Sequence, residues 1–498
     1  MDQDIIKNAR ARVGNALGER LASKATDAFC LAFGRPAPTF SMLEAMTASS
    51  AAPPVVLEFT AQTQVSEEVN RAVEELRKSK AWTSIRNALK RVELASVTRG
   101  VVTEVMEAGR SEPEILPLHA VRLLRHVKVV STRDNFFKVA GPITANIERG
   151  ARGFQRAGVE ALAASQQPRS AVTQVCWLNR TVRSWADPRA LAEAVADDSV
   201  ERVDLPRRLT PEVNVSGSTV GVPQFRKKFK RTGKGIIVAV IDGEVSLTHP
   251  ALKGRVIHRQ NFTDEPWGLP ASHGTAVAGI IASNDSKFTG MAPEATIYSY
   301  KVLANDPTLT GDDFDGALAI QQALEDGAHI ANCSWGAGPA GDGSSREARA
   351  CDTAWAAGLT IVKSAGNRGP GPRTLTTPAD ANGIIAVGAS EREGKAVQDY
   401  SSRGPADGKQ RPHLIAPGGI FEGVGITSCL VGGGFGDVGA GTSFAAPHVS
   451  GMLALLLERD PNLTPDQLRD MLLNACALLN GISVDAQGRG LVSLARVN

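Results

Sequence analysis

Apolar positions recur at helical spacing, among many charges, over residues 4–33 and 66–93, and the short run at 55–60 reads as a strand. Residues 173–186 (TQVCWLNRTVRSWA) alternate as a strand does, Asp187 and Pro188 open a helix over RALAEAVADD, and residues 200–205 (VERVDL) return as a strand. A different pattern follows. Residues 235–242 (GIIVAVID) are continuously apolar up to a terminal acid, as in a parallel strand buried on both faces. Ser272, His273, Gly274 and Thr275 open a helical pattern that continues AVAGIIAS. The apolar AHI leads into residues 331–336 (ANCSWG), and residues 361–369 (IVKSAGNRG) read as a strand ending in a glycine-flanked turn. Residues 440–451 (AGTSFAAPHVSG) make a small-residue turn at the head of a helix that runs on through MLALLLE. Strands and helices alternating in this way predict an α/β fold with a parallel sheet flanked by helices, preceded by a helical and α+β amino-terminal region. The expected parts are a mainly helical region of unknown role at 1–165, a β-α-β unit at 166–209 and the α/β domain at 210–498. No internal repeat is evident.

Chemistry concentrates in the last part. Ser443 is the candidate nucleophile, and a serine hydroxyl needs a base, a group that orients the base, and donors for an oxyanion. Asp242 ends a buried strand, at the edge where open α/β sheets gather their active sites. His273 lies on the first turn of its helix with small residues behind it, so the imidazole can approach a neighbouring strand end. Asn367 follows a strand in a glycine-flanked turn, from which its amide can donate to a developing negative oxygen. Taken singly, an Asp after a strand reads as a cap or turn former, a His beside small residues as packing, and Ser443 as a helix N-cap. All four together point to acyl transfer.

With these residues in the order Asp, His, Ser, the chain resembles the subtilisin-like serine peptidases over residues 210–498. The segments that carry the resemblance are VAVIDG with HPAL, SHGTAVAG, KVL at Lys301, NCSWG, SAGN, TTPADANGIIAVGAS, YSSRGP, IAPGG and GTSFAAPHVSG. The resemblance implies that Ser443 attacks the peptide carbonyl, that His273 relays the proton, and that Asp242 fixes the imidazole tautomer. Asn367 and the Ser443 amide would then hold the oxyanion. It also implies that Ser334, Trp335 and Gly336 form an edge strand that pairs with extended substrate, Trp335 walling an apolar subsite. Ser364, Ala365, Gly366 and Arg368 would line the cleft beside Asn367, with Thr376 on the pocket floor. A branched residue there makes the pocket shallower, so P1 residues are expected to be small to medium or acidic, and Lys and Arg poor. The β-α-β unit resembles the carboxyl half of an inhibitory propeptide, followed by a cleavable tail at 206–222; the bland reading is an ordinary α+β interaction domain. One departure stands out: the family follows its aspartate with a small residue and then glycine, whereas this chain has Asp242, Gly243 and Glu244. Glu244 would face solvent, raise the pKa of His273, or occupy part of the cleft.

Other signals alter the picture little. Residues 434–439 match G-x-G-x-x-G, but the next helix opens at GTSFA rather than within the motif, so close passage of backbone is the better reading than a dinucleotide site. Calcium is the family's usual accessory ion; the loop at 283–289 is short, Asn284 and Asp285 there also suit a turn, and neither a metal site nor any other cofactor is assigned. The chain has 498 residues, 42% apolar content and a net charge of +3, so it is large enough for a sizeable core and does not announce a nucleic-acid partner. The basic run at 226–231 (RKKFKR) reads as solvated surface. No run approaches ~18 apolar residues, so no membrane span is expected, and the amino terminus lacks an apolar signal core. Six cysteines without CxxC pairing read as free thiols, and the expected location is the cytoplasm. Three classes of function remain open: an endopeptidase on polypeptide substrates whose amino-terminal region restrains it or recruits a regulatory protein, an inactive binding scaffold, and a sensor.

Overall fold

A computed structural model describes residues 55–59, 133, 136, 137, 140, 141, 174–184, 197–204, 210, 211, 219–405, 408–421 and 425–497. The chain divides into two compact units, residues 1–64 with 131–207 and residues 65–130 with 208–498.

In the first unit, β1 (Val55–Phe59), β2 (Gln174–Cys176), β3 (Thr181–Ser184) and β4 (Val200–Asp204) form a sheet in the order β2-β3-β1-β4. The alternating run at 173–186 is therefore two strands. A single 3-10 turn over Trp177–Asn179 reverses the chain, with Arg180 left-handed at φ 61°. Val55–Phe59 pairs antiparallel with both β3 and β4, so the β-α-β unit read from 166 onward has a strand from the expected helical region at its centre. The helix expected after Pro188 and those expected at 4–33 and 66–93 lie outside the described residues.

The second unit holds β5 (Thr210–Pro211), α1 (Val222–Phe229), β6 (Ile237–Gly243), β7 (Val256–Asn261), α2 (Ser272–Ala282), β8 (Thr296–Leu303), α3 (Asp313–Glu325), β9 (Ile330–Cys333), β10 (Trp335–Gly336) and α4 (Arg346–Ala356). It continues with β11 (Thr360–Ser364), β12 (Ile385–Ser390), β13 (Leu414–Pro417), β14 (Thr427–Cys429), β15 (Phe435–Asp437), α5 (Thr442–Arg459), α6 (Pro465–Asn474), β16 (Cys476–Ala477) and β17 (Leu491–Val492). Among the described residues the main sheet has nine strands in the order β16-β17-β13-β12-β11-β9-β6-β8-β7. All its pairings are parallel except that of β16 with β17. Every residue of β6, β9, β11 and β12 is buried, which is why these segments read as unbroken apolar runs.

Strand order reverses at β6. The chain leaves it towards β8 and β7 on one side and returns to β9 on the other, and such a switch point opens a crevice at the carboxyl ends of the strands. Asp242 and Ser334 lie at that edge. The basic run at 226–231 falls mostly on α1, where Phe225 is buried and Arg459 lies over the Phe225 and Phe229 rings. The G-x-G-x-x-G residues span β15, the second strand of the β14–β15 hairpin, and Gly434 offers its carbonyl to His249 Nε2 at 2.8 Å, so no helix opens there. Asp285 Oδ1 accepts from the Lys287 and Phe288 amides, both at 2.8 Å, the work of a turn former.

The central helix α5 is buried from Thr442 to Leu457 and packs on the sheet. Inside it, His448 Nδ1 bonds the Phe444 carbonyl at 2.6 Å, so Nδ1 carries the proton, and burial pushes the pKa down to about 4. The unfolded chain takes up a proton at this residue below about pH 6.5 while the folded chain refuses it, so stability falls as pH drops from 6.5 towards 4. Between pH 7.5 and 5 this residue alone is expected to cost roughly 2 kcal/mol. Denaturant titrations at the two pH values check it: His448→Asn, which keeps a donor for the Phe444 carbonyl but does not titrate, is expected to show a correspondingly smaller loss.

Candidate active site

Asp242 is the sixth residue of β6, fully buried, and its Oδ1 accepts from the Gly243 amide at 2.6 Å and contacts His273 Nδ1 at 2.7 Å. The second contact requires the head of α2 to lie almost on the end of β6. Gly274 permits this, because a Cβ there would meet the Gly243 carbonyl oxygen at 2.2 Å and Asp242 Oδ1 at 3.3 Å. Gly274→Ala is therefore expected to push α2 away from the strand. A displacement of ~1 Å at this point should lower kcat about 100-fold, with a lower Tm, as kinetics beside a thermal melt would show. The His273 ring lies against Phe444, centroids 5.1 Å apart, so the imidazole sits beside the residue that follows Ser443.

Ser443 is the second residue of α5; Gly441 occupies the N-cap position, which corrects the reading of Ser443 as a cap. Its amide is one of the early helix N–H groups that have no intrahelical acceptor. Its carbonyl has lost its usual partner as well, because Pro447, four residues on, has no N–H to give. Ser334 Oγ donates to that carbonyl at 2.6 Å and itself accepts from Asn332 Nδ2 at 2.9 Å. Ser450 Oγ donates to Asn332 Oδ1 at 2.9 Å, so a buried polar chain ties α5 to the end of β9 at two points. The Ser443 hydroxyl donates to the Ser334 carbonyl at 3.1 Å.

Asn367 follows β11 and is pinned through its oxygen. Oδ1 accepts from the Thr442 amide at 2.9 Å and from Thr442 Oγ1 at 3.0 Å. A backbone amide can only donate, so the atom facing it is the oxygen, and Nδ2 is left to donate elsewhere. Thr442 Oγ1 also accepts from the Gly366 amide at 3.1 Å, which fixes this turn against the head of α5. Ser364 and Ala365 are buried, and Lys363 Nζ bonds the Ser364 hydroxyl at 2.8 Å beneath the cleft. Thr376 is buried; its amide donates to the Ala365 carbonyl at 3.0 Å, and a Cβ on Gly366 would lie 3.0 Å from its side chain. Arg368 is exposed, its amide donating to Ser402 Oγ at 3.0 Å.

Two expectations change. Glu244 is 2% exposed: it pairs with Lys301 Nζ at 3.2 Å and accepts from the Gly268 amide at 2.9 Å and the Leu269 amide at 3.2 Å. Lys301, on β8 beside Asp242, also pairs with Glu265 at 2.8 Å, so the departure from the family pattern belongs to a buried ionic cluster that fastens the loop before α2, not to solvent. Lys301 and Glu265 are contributors that sequence reasoning passed over; the KVL motif and an unmatched acid were their only trace. Trp335, expected to wall an apolar subsite, is fully buried, and its ring fills the space over Gly316 of α3. The strand it belongs to pairs antiparallel with β5.

An acid at the carboxyl end of one strand, an imidazole on a helix head bonded to it, and a serine on the head of the central helix are what a subtilisin-type site requires. Residues 233–490 match the model of the Subtilase family, and the chain belongs to that family of serine-type endopeptidases. It is similar to serine protease AprX of Bacillus subtilis (strain 168), 33% identical over 297 residues, covering 53% of this chain and 66% of that protein. It is similar to fervidolysin of Fervidobacterium pennivorans, 38% identical over 289 residues, covering 53% of this chain and 40% of that protein. Subtilisin E of Bacillus subtilis (strain 168) is 32% identical over 317 residues, covering 62% of this chain and 78% of that protein. The chain thus spans less than two thirds of the length of the first two. Among the described residues, no helix is long and apolar enough to cross a membrane.

Proposed function

We propose that this protein is a serine endopeptidase that cleaves polypeptides through Asp242, His273 and Ser443, with Asn367 Nδ2 and the Ser443 amide as oxyanion donors. The observation that carries this reading is the 2.7 Å contact of the buried Asp242 with His273, whose ring lies beside the head of α5. Asp242 accepts the Nδ1 proton, which leaves Nε2 with its lone pair free to act as base. The Ser443 hydroxyl exchanges the Ser334 carbonyl for that nitrogen when substrate is bound, since catalytic hydrogen bonds tighten in the Michaelis complex. Helix polarity at the head of α5 favours the negative oxygen formed there.

The protein is made as a zymogen in this reading. The supporting observation is the antiparallel pairing of Thr210–Pro211 with Trp335–Gly336, in which a segment of the expected tail takes the place of extended substrate. The amino-terminal region then restrains the enzyme until a regulatory protein or self-cleavage releases it. Location in the cytoplasm agrees with Cys333, Cys351, Cys429 and Cys476, which are free thiols among the described residues. Burial pushes the Cys333 and Cys429 thiols up to about 12, so they are packing groups rather than reagents. A fluorophosphonate probe tests the reading: the wild type is labelled and Ser443→Ala is not, whereas an unlabelled, folded wild type leaves the inactive scaffold as the better account.

A further inference from the structure

A cavity of about 600 Å³ opens between the start of α1, the last turns of α2, the loop that follows α2, β14 and His448 of α5. That is the size of a small-molecule site. It lies apart from the candidate catalytic groups: Asp242, His273, Asn367 and Ser443 are not in its lining, and it meets α2 at Gly279 and Ile280, about two turns beyond His273. Its walls combine apolar side chains, such as Ile280 and Met291, with hydroxyls and cations.

The interior presents lone pairs. His448 is fully buried, its Nδ1 proton goes to the Phe444 carbonyl at 2.6 Å, and Nε2 has no hydrogen-bond partner among the described residues. A neutral imidazole protonated on Nδ1 can only accept at Nε2. The hydroxyls that line the same space have given their hydrogens to backbone carbonyls: Ser428 Oγ to Ala276 at 2.8 Å, Thr289 Oγ1 to Asp285 at 2.5 Å, and Thr219 Oγ1 to Arg392. Each oxygen keeps lone pairs that only a donor can meet. An occupant therefore has to bring several O–H or N–H groups.

Charge selects the sign of that occupant. Arg226, Lys287 and Arg392 line the cavity with one acid, Glu393, which lies 3.2 Å from Arg392 Nε. Glu294 acts on Arg226 from outside the lining, and it also accepts the Thr232 hydroxyl. Three cations against two acids leave the space positive. Hydroxyl donors and a negative group meet in one class of small molecule, the sugar phosphates, whose phosphate suits the paired N–H donors of arginine. We propose that this cavity binds a phosphorylated sugar, its hydroxyls donating to His448 Nε2 and the lining oxygens and its phosphate held by Arg226 and Lys287. The bound ligand ties the start of α1 and the loop at 287–291 to the central helix, so it stabilises the folded chain without touching the candidate catalytic residues. Binding here stands apart from the endopeptidase reading above.

The test uses the full-length chain in a phosphate-free buffer, with glucose 6-phosphate as the probe and glucose and inorganic phosphate as controls, followed by calorimetry, thermal melts and hydrogen exchange. Ser443→Ala run beside the wild type separates binding from self-digestion. Glucose 6-phosphate is expected to bind with a Kd below about 1 mM, and ~10-fold or more tighter than either control, the effect of one buried hydrogen bond or charged contact. At 100 times its Kd it should raise Tm by about 5 °C and slow exchange at residues 287–291. The Arg226→Gln, Lys287→Gln pair should weaken its binding about 10- to 100-fold. His448→Asn keeps a donor for the Phe444 carbonyl, but its shorter side chain withdraws the Nε2 acceptor. It should weaken glucose 6-phosphate by ~10-fold and leave inorganic phosphate unchanged. A cooperative melt reports that each variant has folded. A Kd for glucose 6-phosphate above about 1 mM, a control that binds as tightly, or unchanged affinity in the folded Arg226→Gln, Lys287→Gln chain overturns the proposal.

Discussion

Ser443→Ala is expected to lower kcat by about six orders of magnitude, the loss known for the corresponding change in subtilisin itself, while the protein stays folded. The side chain lost is small and its only described partner is the Ser334 carbonyl, so the structural cost is one buried hydrogen bond, about 1 kcal/mol. The remaining rate above that of water should come from Asn367 and from substrate binding, which the mutation leaves in place. Single-turnover assays on a peptide with a fast leaving group, beside a denaturant titration, separate the two effects. A small loss in kcat would mean that another group performs the attack.

Asp242→Asn is expected to reduce kcat about 10,000-fold near neutral pH, the size of the effect in a chymotrypsin-type triad. One oxygen, Oδ1, serves both the Gly243 amide and His273 Nδ1. An asparagine that turns its amide nitrogen to the imidazole reverses the proton on that contact, which leaves Nε2 protonated and useless as a base. Packing should change little, because the two side chains are nearly the same shape. Steady-state kinetics with a thermal melt distinguish this from misfolding: the account requires a large fall in kcat with a shift of only a few degrees in Tm.

The strands and helices that carry the candidate site are legible in the sequence because burial on both faces leaves an unmistakable apolar run, as in β6, and because small residues mark the helix heads that come close to strand ends. Gly274 is the clearest case, since the pattern around His273 pointed to close approach and a Cβ there would collide with Gly243. What could not be read depends on partners far apart in the chain. Glu244 is held by Lys301 and the loop at Gly268, and a charge followed by alternating residues gives no hint that it is interior. Trp335 fills a space left by Gly316, a complementarity of two positions that no local pattern carries. In the amino-terminal unit, β1 joins strands more than a hundred residues later in the sequence, and the turn at Arg180 interrupts an alternation that otherwise continues through it. The placement of Ser443 inside α5 rather than at its cap is a difference of two positions, which the residue types that flank helix starts do not resolve.

The most direct measurement of the central claim is a crystal structure of the enzyme inactivated by a fluorophosphonate. The account predicts phosphorus bonded to Ser443 Oγ, its free oxygen about 3 Å from both Asn367 Nδ2 and the Ser443 amide, and His273 between the adduct and Asp242. An adduct on a different residue, or one whose oxygen faces away from Asn367 with the imidazole turned from Ser443, would contradict it.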